Sequence, residues 1–288
     1  MTWFWLALLT ALSVALRDVS MRRFRALSAA DCAALECLFT LPPLLLLLAL
    51  VPRPELDLVF FWTFALSIPL NLAAYLLYLE AIKSSPISLS VPFLAFTPVF
   101  MIMTGQLFLG ETVNLYGMLG IGLITAGGYL LHAQTASWSP LAPIVSLGRE
   151  RGSRLMLLVA LIFSFAAVIG KKAILHSSPL FFTASFFALF NLTVLLFLRP
   201  RQGLSLKTAR NHAAKGIWLG GLFLVHVVSH ALAIELGTAA YVIAVKRSSI
   251  LLSLAFAAIL FHEDRKVIRQ LGGVVMFLGL CIITLWGS

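Results

Sequence analysis

The sequence predicts an all-α integral membrane protein of ten transmembrane helices, built as two inverted five-helix repeats. Three observations carry that expectation. Of the 288 residues, 61% are apolar and only 11% charged, with a mean hydropathy of +1.01. A soluble domain of this length cannot hide so much apolar surface. Apolar runs of about 20 residues, enough to cross a bilayer core, recur ten times. They fall at about 2–20, 30–51, 58–82, 86–109, 114–132, 153–174, 179–198, 216–236, 240–262 and 267–286. Basic residues collect in alternate connections between the runs, as cytoplasmic loops do.

The first run lacks a basic n-region and begins with Trp3 and Trp5. It therefore reads as a span and not a signal peptide, despite the cleavage-like Ser13-Val14-Ala15. Trp62, Trp218 and Trp286 also stand near run ends, where amphipathic rings anchor at the membrane interface. Pro42, Pro43, Pro69, Pro92 and Pro98 interrupt the second to fourth runs, whereas Pro179 and Pro200 sit at run ends. Prolines within spans free backbone carbonyls and permit bends, so Pro69, Pro92 and Pro98 are candidate hinges. The second half is expected to be straighter. The glycine faces of the fifth and tenth runs permit close packing, within the chain or between the copies of a homodimer. Residues 133–152, rich in Ser, Pro and Gly, read as a linker between a first repeat, 1–132, and a second, 153–288.

A shift of 152 residues lays 79–111 on 231–263. Ala81-Ile82 then meets Ala233-Ile234, Glu111 meets Glu263, and Leu119-Gly120 meets Leu271-Gly272. Charge is an independent test. Connections 1–2, 3–4, 5–6, 7–8 and 9–10 hold 16 of the 21 basic residues, from Arg17, Arg22, Arg23 and Arg25 to Arg265, Lys266 and Arg269. The opposite side has Arg53, Lys171 and Lys172. The positive-inside rule then puts both termini outside, with the chain multi-pass in the cell (inner) membrane. An odd number of spans per copy inverts the second copy, as in transporters built on inverted repeats.

Tyr75 to Leu131 resembles the repeat unit of the drug/metabolite transporter superfamily, in its EamA branch. The carrying features are Pro98 in the fourth run, the helix end Gly110-Glu111, and then Gly117, Gly120, Gly122, Gly127 and Gly128. Tyr241 to Gly279 resembles the second copy, with Glu263 ending the ninth run. The resemblance implies a ten-helix carrier with a central cavity lined mainly by helices other than the fifth and tenth. It also implies cytoplasmic termini, against the charge bias. The Lys246-Arg247 pair resembles the ninth helix of the triose-phosphate branch, where such a pair holds phosphate.

Lys246 lies six residues into the ninth run, roughly 9 Å along it by the helical rise. Snorkelling explains one such cation more easily than two adjacent ones, which diverge by about 100°. Lys246 and Arg247 are accordingly the leading substrate-binding candidates, with an ion pair to Glu235 as the alternative. His226 and His230 share a helix face. Val227 stands where a zincin would need glutamate, so ligand hydrogen bonding, proton handling or helix contacts remain for them. Asn71, Asn191, Tyr75, Tyr78 and Tyr241 are further ligand candidates, against interhelical or interfacial roles. Glu36 and Glu235 are candidate coupling carboxylates. Asp18 reads as a partner of Arg17, and Glu111 and Glu263 as organisers of the turns that follow them.

The net charge of +10 is explained by loop topology and not by a nucleic-acid partner. Cys32, Cys37 and Cys281 read as small apolar residues without disulfide or metal. No G-x-x-x-x-G-K-[ST] loop occurs, so ATP is not the direct energy source, and no cofactor or catalytic cluster is expected. The expected function is a non-enzymatic secondary carrier, exporting a small anionic or zwitterionic metabolite such as an amino acid by alternating access. The rivals are a membrane-embedded enzyme and a non-transporting receptor or scaffold.

Overall fold

A computed structural model describes residues 1–24, 27–85, 90–132, 145, 149–202, 206–261 and 267–287. In the first half the helices are α1 (Thr2–Arg23), α2 (Ala29–Leu50), α3 (Leu58–Ser84), α4 (Thr97–Leu109, entered through a 3-10 stretch, Val91–Phe96) and α5 (Leu115–His132). The second half has α6 (Arg151–Leu175), α7 (Pro179–Gln202) and α8 (Ala213–Leu236), with a short turn of helix at Leu206–Asn211 between the last two. It ends with α9a (Ala239–Arg247), α9b (Ser249–Phe261) and α10 (Val267–Trp286). Eight described spans are long and apolar enough to cross a membrane, and Leu115–Leu131 and Leu271–Trp286 are shorter apolar helices.

Local chemistry sets several boundaries. Ser28 caps α2 through a reciprocal box with Asp31, satisfying two amides that the first turn leaves open. Asp57 caps α3 by accepting from the Phe60 amide at 2.8 Å. Pro92 and Pro98 each stand in the first turn of their segment, where the missing N–H costs nothing. Gly110 ends α4 at φ 68°, a conformation that suits glycine.

Packing follows the 152-residue shift. α3 lies on α6 and α1 on α8; α4 lies on α6 and α9b on α1. α5 pairs with α10 through glycines: Gly120 against the Gly279 carbonyl, and Gly127 against that of Gly272. These contacts run in opposite order along the two helices, so α5 and α10 are antiparallel and the halves are inverted. The close approaches at Gly120, Gly127, Gly272 and Gly279 are thus made within the chain. Both termini lie at one end, where Trp3 stacks on Tyr241 and Asn114 donates to the Trp286 carbonyl at 2.8 Å.

Two expectations are corrected. Lys171, counted among the connections, is buried inside α6; it ion-pairs with Glu111 and donates to the Gly237 carbonyl at 2.5 Å. Burial is tolerated because both partners are hydrogen bonded, Glu111 also accepting from the Ala239 amide at 2.8 Å. The ninth run, expected to be straighter, breaks at Ser248 without a proline. The Ser248 amide and hydroxyl both donate to the Val245 carbonyl, at 2.9 and 2.7 Å, a back-bond that tightens the turn locally. Glu263, Arg265, Lys266 and most of the linker lie outside the described residues.

Candidate functional site

α1, α3, α6, α7, α8 and α9a, with the start of α4, enclose a cavity of about 430 Å³. It runs from Arg17 and Asn71 at mid-span to Ile174 and Ile234, near the helix ends that lie with the termini. One wall is aromatic: Phe182 and Phe186 stack at 5.3 Å, and Phe163 and Phe187 join the lining. The α7 sequence PLFFTASFFALF produces this wall, because phenylalanines four apart share one helix face. The other wall is polar, with Thr97, His226, His230, Lys246 and Arg247.

The charge of the site is one-sided. Arg17, Lys171, Lys246 and Arg247 line it, and no carboxylate does among the described residues. Lys171 is balanced by Glu111, and Arg17 has Glu36 at 3.5 Å and Asp18 at 3.7 Å. Arg247 donates to Thr97 Oγ1 at 2.8 Å, and its Nε has no partner among the described residues. Lys246 has no ion pair among them. Further polar atoms of the lining also lack partners among the described residues: Thr183 Oγ1 and the Nδ1 atoms of His226 and His230, whose rings lie 6.3 Å apart. Buried polar groups are normally paired, so this lining is prepared for a polar guest.

Of the residues singled out in the sequence, the cavity gathers Lys246, Arg247, His226, His230 and Asn71. Asn191 is buried elsewhere, both its side-chain polar atoms lacking partners among the described residues. Tyr75 and Tyr78 on α3 do not line the cavity. Tyr241 packs under Trp3, its hydroxyl 3.5 Å from Asn114 Oδ1, in a second pocket near the termini. Glu36 is buried behind Arg17. Glu235 is half-buried and forms no ion pair with Lys246 among the described residues. Pro69 sits within α3, and Pro92 and Pro98 flank the junction at Thr97.

Sequence reasoning missed Arg17, Thr97 and the α7 phenylalanines as cavity residues. Arg17 looked like a helix-end charge beside Asp18, yet α1 continues to Arg23, leaving Arg17 well over a turn inside. The fourfold spacing of Phe182, Phe186 and Phe190 was the signal available for the aromatic wall.

The EamA-like transporter family model matches residues 1–132. No curated protein sequence matches the chain. A solved crystal structure shares the fold at a TM-score of 0.74 with 14% sequence identity, over 99% of this chain and 96% of the other.

Proposed function

Residues 1–132 match the EamA-like transporter family, and from that premise we propose a carrier for small organic monoanions with an apolar or aromatic body. The observation that carries this reading is the pairing of unbalanced cations, Lys246 and Arg247, with the Phe182–Phe186 wall in one cavity. An anionic head is attracted by charges that no lining carboxylate offsets, and the apolar body gains from leaving water. A free ammonium would meet the two unbalanced cations, Lys246 and Arg247, and no carboxylate among the described lining residues, so the anion is favoured over the zwitterion.

Transport proceeds by alternating access between the inverted halves, 1–132 and 153–288. The cavity extends toward the termini, which the charge bias puts outside, and this supports release in that direction, hence export. At the opposite end Gly216 and Gly220 let α8 close on Phe39 and Thr40 of α2. Purified protein in lipid vesicles tests the reading with phenylpyruvate, phenylalanine and phenethylamine, which share a ring and differ in charge. Phenylpyruvate should cross faster than in protein-free vesicles and in preference to the other two. Preference for phenethylamine, or no transport of any, would overturn it.

A further inference from the structure

Arg17 stands between two claimants. Its guanidinium lines the cavity, while Nη1 lies 3.5 Å from Glu36 Oε1 on the side away from it. Neither group is fully engaged: Arg17 Nε and Glu36 Oε2 have no hydrogen-bond partner among the described residues, and Glu36 is buried. A separation of 3.5 Å is an ion pair, not a closed bidentate fork. The guanidinium can therefore turn toward an anion in the cavity without breaking a tight contact.

We infer that Arg17 is exchanged between Glu36 and the bound anion, so that a proton enters on Glu36 whenever the anion binds. This rests on the anion reading above. The step balances. The anion arrives with one negative charge and takes the Arg17 counter-charge. Glu36, left buried without a cation, binds a proton from water instead of standing as an isolated charge. When the anion leaves, Arg17 returns to Glu36 and the proton is released. A monoanion and a proton thus move together, with no net charge carried by the pair.

The surroundings make Glu36 the proton site. α1 presents Arg17 and Asp18 to it, and Asp18 is half exposed to solvent. From α8, His226 reaches the Arg17 neighbourhood while Lys215 lies by Cys32. α3 contributes Tyr75 and Tyr78, the latter near Arg17, and α9a contributes Lys246. On α2 itself Cys32, Cys37 and Asp31 are closest in sequence. α7, packed along α2, carries ionisable side chains only at Arg199 and Arg201 near its end. Of the two carboxylates beside Arg17, Glu36 alone is buried and has an unengaged oxygen.

Benzenesulfonate is the probe, because its charge does not titrate and any proton taken up belongs to the protein. Solubilised protein in weak buffer should take up close to one proton per anion bound, and affinity should rise as pH falls. Infrared difference spectra should gain a protonated-carboxyl band on binding. Glu36→Gln should bind the probe with no proton uptake and no pH dependence. Arg17→Gln should show the carboxyl band before the probe is added. Binding by the wild type without proton uptake, or uptake that persists in Glu36→Gln and disappears in His226→Gln, would overturn the inference and leave the anion reading standing. No binding of benzenesulfonate or phenylpyruvate would overturn both.

Discussion

Arg247 donates a 2.8 Å hydrogen bond to Thr97 Oγ1, joining the two points at which the fourth and ninth spans are interrupted. The 152-residue shift carries Thr97 onto Ser249, the first residue of α9b, so each half breaks at the same place. One break is made by prolines and the other by a serine back-bond. Thr97→Val removes the hydroxyl and leaves a buried guanidinium less satisfied. The expected loss is about 1.5–3 kcal/mol of stability, read as a lower unfolding midpoint, while Thr97→Ser retains most of it.

Lys246 behaves differently, because no carboxylate among the described residues balances it. Lys246→Gln should leave the unfolding midpoint unchanged or raised, and weaken benzenesulfonate binding about tenfold or more, the worth of a charge-assisted contact. Calorimetric titration of both proteins checks this. Equal affinities would remove Lys246 from the binding site.

The Lys171–Glu111 pair is structural. Its two groups also hold the turn between α8 and α9a, through the Gly237 carbonyl and the Ala239 amide. Lys171→Met strands the carboxylate and should cost about 3–5 kcal/mol. Lys171→Met combined with Glu111→Gln should recover part of that, as measured by thermal unfolding in lipid nanodiscs.

Glycines of α5 separate into tight and open positions. A Cβ at Gly127 would stand 2.6 Å from the Gly272 carbonyl oxygen and 2.7 Å from the Met276 amide nitrogen, both backbone atoms. Gly127→Ala should therefore destabilise by about 1–3 kcal/mol. At Gly122 nothing among the described residues lies within 4 Å, and Gly122→Ala should be neutral or slightly stabilising. Unfolding midpoints of the two variants give the comparison.

Asp57 and His176 meet at 2.6 Å outside the spans. The Phe60 amide first, and then the imidazole, hold the Asp57 carboxyl below its usual range. A lowered folded-state value means the carboxylate contributes stability above the ordinary aspartate range and loses it as pH falls through the folded value. The thermal unfolding midpoint should fall on acidification in the wild type, and that part of the slope should be absent in Asp57→Asn.

The spans were readable because twenty-residue apolar runs admit few other structures. The inversion was readable from charge. Lys246 and Arg247 stood out for the same reason, since adjacent cations in an apolar run demand an explanation. Arg17 and Lys171 did not, because a charge near a run end looks alike whether it faces water or a buried partner. Only the folded packing brings Glu111 to Lys171 across 60 residues of sequence. The break at Ser248 was hidden because serine, unlike proline, interrupts a helix only when its hydroxyl turns back to its own backbone.

The glycines that seat α8 on α2 have no counterparts in the first half. The 152-residue shift puts Phe64 and Ile68 of α3 where Gly216 and Gly220 stand, and Phe64 meets Phe182 and Phe186 at 6.0 and 6.1 Å. Two halves of common design therefore close with unequal ease. One contact packs glycine backbone against Phe39 and Thr40, and the other interleaves rings. On the proposed alternating-access cycle, the empty protein would then be biased toward one side. An occupant must then supply a differential affinity for the other state before that state is appreciably filled, so part of its intrinsic affinity goes into tilting the equilibrium and does not appear in the measured Kd.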